Sequence, residues 1–229
     1  MWPQWSEGTM KRFVLILLAG SLMLRCGSAL PGRADSEADR AAEALKRTRA
    51  QLEFDGTVVD FRYAKVTSEL LEHLSDLPRL RGVRLRDAAV RDADLAHLSG
   101  LTDLRMLDLS DTFITDEGLA HLKKLSRLHT LRLSGTKLSS RATPHLKRFA
   151  RLRNLDLART AITDEGLVPL RELEELELLI LDETKITDAG LEHLKGLTRL
   201  RELHLVGTGV TSAGTKEIQT ALPATKVNR

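Results

Sequence analysis

The sequence predicts an α/β solenoid, with a parallel sheet along one face and short helices along the other. Three observations predict it. The first is a 24-residue period, because Leu80, Leu104, Leu128, Leu152, Leu176 and Leu200 open successive copies of one pattern. The second is a change of hydrophobic rhythm inside each copy, from alternation to spacings of three. The third is composition: aromatics make up 3% of the 229 residues, so leucine must carry the core. A fixed period of this length marks stacked structural units, none of which can bury its apolar face alone.

Residues 1–29 read as a signal peptide. Lys11 and Arg12 precede the apolar run from Phe13 to Leu24, and Gly27, Ser28 and Ala29 offer a small-residue cleavage site. Residues 1–9 read as extra residues ahead of the start at Met10. The run is shorter than the roughly 20 residues a membrane span needs. Cys26, the only cysteine, follows Met23, Leu24 and Arg25. A lipid anchor at Cys26 is the alternative, although Arg25 departs from the lipoprotein pattern. Removing Lys11, Arg12, Arg25 and Glu7 with the leader leaves 32 basic and 31 acidic residues. That balance argues against a nucleic-acid partner, which would show a basic stripe.

Residues 30–55 read as a linker followed by an N-terminal capping helix. Ser36 suits an N-cap, with Glu37 and Asp39 in the first turn. Ala38, Ala41, Ala42, Leu45 and Leu52 recur at helical spacing. Such a helix covers the open core of the first repeat, which has no neighbour on that side.

Residues 56–229 carry the repeats. In the copy from Leu104 to Arg127, Leu107 and Leu109 alternate with Met106, Asp108 and Ser110, which predicts a short strand with leucines pointing inward. Thr115 stands where a helix N-cap belongs, with Asp116 and Glu117 after it. Leu119, Leu122 and Leu125 then give one buried stripe. Strands stack about 4.8 Å apart and helices about 8–10 Å apart, so the stack curves with its sheet on the concave face. Two inward columns follow, Val59 to Leu203 and Phe61 to Leu205. Thr112, Thr136, Thr160, Thr184 and Thr208 form a column after the strands, expected to hydrogen-bond to neighbouring repeats. Gly118, Gly166, Gly190 and Gly214 suggest close packing. In the third copy the expected cap is Thr143 with Pro144 at the first helical position. In the fourth, Pro169 is expected to shorten the helix. Leu222 to Val227 reads as half a repeat that adds an edge strand.

The pattern L-x-x-L-x-L-x-x-T-x-I-T-D-x-G-L over residues 56–227 resembles the short bacterial leucine-rich repeat. It is also similar to ribonuclease-inhibitor-like and F-box-associated arrays. The resemblance implies a curved horseshoe that binds other proteins through its concave face. No F-box is visible ahead of the first copy.

No phosphate-binding Gly-Lys-Ser/Thr loop, H-E-x-x-H or G-x-S-x-G is present. His73, His97, His121, His145 and His193 share one repeat position, and Asp92, Asp116, Asp164 and Asp188 another. Both columns read as structural, so no catalytic residue, metal or cofactor is expected. On the concave face Asp60, Arg84, Asp108, Arg132 and Asp156 alternate in sign, and then Ile180 and His204 break the ladder. Leu178, Ile180 and Val206 point outward with Asp182, Glu183 and His204 close by. An apolar patch rimmed by charge marks a binding site. The reading is therefore an exported, non-enzymatic protein-interaction module, monomeric, without a membrane span, and periplasmic or extracellular. The alternatives are a passive envelope spacer and, more distantly, a substrate-recognition subunit or an enzyme with a dispersed site.

Overall fold

A computed structural model describes residues 40–42, 44–45, 51–52, 57–62 and 65–229. The leader expected over residues 1–29 and the proposed cap at Ser36 lie outside the described residues. Nine strands appear among those described: β1 (Gln51–Leu52), β2 (Val58–Asp60), β3 (Gly82–Arg84), β4 (Met106–Asp108), β5 (Thr130–Arg132), β6 (Asn154–Asp156), β7 (Leu178–Ile180), β8 (Glu202–His204) and β9 (Lys226–Asn228). They form one sheet in chain order. From β2 to β9 all pairs are parallel, and every pairing joins residues one repeat apart, such as Val59 with Val83 and Leu107 with Leu131.

The edge at β2 is closed by an element that the periodicity does not reveal. β1 runs antiparallel to β2, pairing Gln51 with Asp60 and Leu52 with Val59. Leu52 therefore sits in a strand and not on the expected helix, because β2 would otherwise leave its ladder groups unpaired. Helical residues do occur at 40–42 and 44–45. Ala41, Ala42 and Leu45 are buried there, and Leu45 belongs to the same core cluster as Val59 and Phe61.

The two inward columns are closed to solvent along their whole length. Val59, Val83, Leu107, Leu131, Leu179 and Leu203 are fully buried, as are Leu85, Leu109, Leu133, Leu157, Leu181 and Leu205. Each side chain contributes roughly 1.5–3 kcal/mol of transfer free energy before chain entropy is subtracted. Leu119, Leu122 and Leu125 meet these columns from the other side, also fully buried.

Part of the helical face is wound more tightly than an α-helix. Ser68–Glu72, Thr143–Leu146, Asp188–Leu191 and Ser212–Ala221 are α-helical. Asp92–Leu98, Gly118–Leu122 and Asp164–Glu172 are 3-10 helices. Leucines three apart fit a helix with three residues per turn. Pro169 is accommodated inside the 3-10 segment Asp164–Glu172 without shortening it. Its fixed φ suits that conformation, and only one donor is lost. In the third repeat the cap is Ala142, so Thr143 is the first helical residue. The Thr143 hydroxyl turns back and donates to the Ser140 carbonyl at 2.9 Å.

The threonine column after the strands works within each repeat. Thr112, Thr136, Thr160 and Thr184 donate to the carbonyls of Leu109, Leu133, Leu157 and Leu181, each at 2.6 Å. The expected bonds to neighbouring repeats come from the aspartates instead. Asp164 accepts the Thr187 amide at 2.8 Å and its hydroxyl at 2.6 Å. Asp92 does the same for Thr115, Asp116 for Ser139 and Asp188 for Thr211. The third repeat lacks the aspartate, and Ser140 takes its place by accepting the Thr163 amide at 3.0 Å.

This clamp explains the glycines. A Cβ at Gly190 would lie 2.4 Å from Asp164 Oδ1, and one at Gly118 would lie 2.3 Å from Asp92 Oδ1. Ala142 occupies the same position opposite Asp116, so the clamp has room to adjust for one methyl. Two hydrogen bonds to a part-exposed carboxylate are worth about 2 kcal/mol together. Asp164→Ala is expected to lower unfolding stability by about that amount in urea titrations. Gly190→Ala is expected to destabilise the parent chain. In the Asp164→Ala background that penalty should shrink by about 1 kcal/mol. Strictly additive effects in the double mutant would refute the clamp.

Candidate partner-binding face

The residues facing away from the helices line the concave side of the sheet. In the first repeats their charges pair. Arg84 lies 3.5 Å from Asp60 and Arg132 lies 3.6 Å from Asp108, one strand apart in each case. Arg62 adds a 2.7 Å contact to Asp60. Burial opposes ionisation of Asp60. The side-chain and amide hydrogen bonds from Arg62, with the charges of Arg62 and Arg84, outweigh it and hold the carboxyl below its ordinary value.

The pairing fails at Asp156. Its Oδ1 accepts the Ala158 amide at 3.0 Å, and among the described residues it forms no ion pair. Burial pushes its pKa up. The Ala158 amide and Arg132 act against that, while Asp108 and Asp182 add repulsion, and the balance leaves the carboxyl above its ordinary value. The next position of the column is Ile180, the cross-strand partner of Asp156.

The six residues singled out from the sequence come together around this point. Leu178 and Ile180 point out of β7 and are half-buried, while Leu179 between them is fully buried. His204 is the cross-strand partner of Ile180. Val206 follows β8, is 51% exposed, and donates its amide to Asp182 Oδ1 at 2.7 Å. His204 Nδ1 lies 4.0 Å from Asp182 Oδ2, and its Nε2 lies 3.4 Å from Glu202 and 3.1 Å from Asn228 Nδ2. Glu183 is exposed beside Gly207. Two further acids belong to the rim, Asp156 on β6 and Glu202 on β8, the latter opposite Leu178.

One column of this face escapes sequence reading. Asp87, Asp111, Gly135, Arg159, Glu183 and Gly207 all adopt positive φ, between 55 and 72°. Their turn lets the amide of each of the first five donate to a carbonyl of the next repeat, as Asp111 does to Ser134 at 2.7 Å. Only Gly135 and Gly207 signal the conformation by residue type. Gly135 also lets Arg159 reach across it to Asp111 at 2.9 Å, two repeats away. A Cβ at Gly135 would lie 2.2 Å from the Asp111 carboxylate.

On the opposite side the histidine column meets acids singly. His73 lies 3.4 Å from Asp76, and His97 lies 3.5 Å from Glu72. Among the described residues no group of three or more histidines, cysteines or acids is arranged to hold a metal.

The raised Asp156 carboxyl makes a prediction with a definite sign. A carboxyl whose folded pKa exceeds the ordinary 3.8 costs stability once ionised. That cost is absent below the unfolded value and fully present above the folded one. Asp156→Asn keeps an acceptor for Ala158. It is expected to match or exceed the parent in urea unfolding at about pH 7, with any gain gone by about pH 3. A loss of stability at pH 7 alone would contradict this reading.

Comparison with known proteins agrees with the geometry. The leucine-rich repeat region model matches residues 59–224. No curated protein matches by sequence. Among solved structures, internalin C2 from Listeria monocytogenes is similar, with a TM-score of 0.58 and 22% identity over 82% of this chain and 84% of that one. Another internalin from the same organism gives a TM-score of 0.57 and 21% identity over 72% of this chain and 50% of that one. This chain thus spans about half the length of the second protein, and identities at this level speak to the fold alone. A match running from β2 to the turn before β9, on a solenoid with this register, places the chain in the leucine-rich repeat family.

Proposed function

We propose that this chain is an exported, non-enzymatic interaction module that binds a protein partner through the concave face over β6, β7 and β8. Leucine-rich repeat proteins commonly mediate protein–protein interaction. The observation that carries the reading here is the break in the charge ladder. Ile180 stands outward where the alternation calls for a charge, with Leu178 and Val206 outward beside it, and the paired charges of the first repeats end next to them. Export rests on the charged and apolar leader at residues 1–29. Among the described residues no helix is long and apolar enough to cross a membrane. The helical residues between 40 and 45, with β1, serve as the cap of the first repeat in this reading.

Mass spectrometry of the exported protein should find Leu30 at its N-terminus. An acylated Cys26 at the N-terminus would instead establish a lipid-anchored protein, and an uncleaved cytoplasmic product would overturn export.

The face is tested by three variants. Ile180→Arg continues the alternation after Asp156, so it should change stability by less than about 1 kcal/mol. Leu179→Asp buries an unpaired charge and should unfold the chain. In captures from an envelope extract, a partner retained by the parent should be lost with Ile180→Arg. It should be kept with Lys124→Ala, an exposed site beyond the 3-10 helix Gly118–Leu122. Unchanged capture by Ile180→Arg would move the contact elsewhere. No specific capture by the parent would favour a passive spacer.

A further inference from the structure

The concave face is divided by charge as well as by polarity. Over β2 to β5 acids and arginines pair. Over β6 to β8 the outward side chains and those of the following turns include Asp156, Asp182, Glu183 and Glu202. Arg159 is the one lysine or arginine among these positions, and its guanidinium is drawn away to Asp111 at 2.9 Å. Lys226 lies on the far side of Glu202, on β9. Two of the acids are left without a cation. Among the described residues neither Asp156 nor Glu183 forms an ion pair, and Glu202 meets only the imidazole of His204 at 3.4 Å.

We propose that this region receives a cationic segment of a partner polypeptide, with one aliphatic side chain on Leu178, Ile180 and Val206 and a lysine or arginine on either side of it. The proposal rests on the use of this face for partner binding and adds the chemistry of the partner.

Three physical arguments favour that occupant. An acidic segment would bring like charges against four carboxylates, and a neutral one would leave Asp156 half-buried and unpaired. A guanidinium or ammonium beside Asp156 supplies the counter-charge that Ile180 does not, in a partly desolvated setting where such pairs are strongest. The spacing also fits. Asp156 and Glu202 stand on strands that flank β7, each about 4.8 Å from it. In an extended segment crossing the strands, residues two apart on one face are separated by about 6.6–6.8 Å. A pattern of Lys-x-aliphatic-x-Lys therefore sets its apolar side chain over Ile180. Its flexible cationic stems make up a difference of about 2 Å toward Asp156, directly opposite Ile180, and of about 1 Å toward Glu202, the diagonal neighbour of Ile180 on β8.

The test uses three synthetic peptides: Ser-Lys-Thr-Leu-Thr-Lys-Ser, its counterpart with both lysines replaced by glutamate, and one with both replaced by threonine. Each is titrated into nitrogen-15-labelled protein and followed by amide chemical shifts. The lysine peptide should move the amides of Leu178, Ile180 and Val206, and its affinity should fall about tenfold between 25 and 300 mM salt, as screening of exposed charges requires. Glu183→Gln and Glu202→Gln should each weaken it about threefold, and both together about tenfold, for loss of rim charge pairs. The glutamate peptide should leave the same amides unmoved. Equal binding of all three peptides, or lysine-peptide shifts confined to β2–β5, would overturn the proposal. The two readings fail separately. Partner capture that depends on Ile180, together with a silent lysine peptide, would leave the binding face standing and remove the cationic partner.

Discussion

The contact on which the stack depends is a carboxylate shared between neighbouring repeats. Leucine burial supplies most of the favourable energy, but it has no direction and would tolerate a slipped or splayed stack. The sheet fixes one edge of each repeat through its parallel ladder. On the other side the segments are short helices and 3-10 turns. Asp92, Asp116, Asp164 and Asp188 hold that side by accepting an amide and a hydroxyl from the following repeat. A carboxylate with two fixed donors 23 residues ahead admits one spacing between repeats. Gly118, Gly190 and Gly214 are its steric complement at Asp92, Asp164 and Asp188.

Much of the fold was legible because the period makes every position report on its copies. The inward columns, the strand register, the edge strand β9 and the outward set on β7 all follow from where leucine alternates with polar residues. The partners of the polar columns were less legible. Asp116 and Asp164 follow a threonine at a helix start, and the helix dipole explains such acids well enough to hide their contact with the next repeat. The threonines after the strands erred the other way, since their hydroxyls close a turn within their own repeat. The left-handed column went unseen because Asp87, Asp111, Arg159 and Glu183 share no residue type with Gly135 and Gly207. β1 lies outside the repeat pattern, so periodicity carried no information about it.

The candidate face shows the same division. Outward orientation of Leu178, Ile180 and Val206 was readable from alternation alone. Asp156 was readable too, as the last acid of the ladder before Ile180. Glu202 was not, because it belongs to a strand that looks ordinary when read by itself, and only its pairing with Leu178 brings it to the rim.

That pairing also bears on why the ladder ends where it does. A repeat array can carry one charge pattern through every copy, and the first five strands of the parallel stack keep alternating sign at the column of Asp60. Continuing it would place a cation at position 180. Ile180 forgoes that cation, leaves Asp156 with a carboxyl above its ordinary value, and faces an aliphatic side chain to water. Each change costs stability, and neither improves the core, since Leu179 and Leu181 already fill the inward columns. The inward columns from Val59 to Leu203 and from Phe61 to Leu205 are apolar in every copy. A local violation that burdens the fold, in a chain otherwise consistent from strand to strand, is the pattern expected of a surface kept for contact with another molecule.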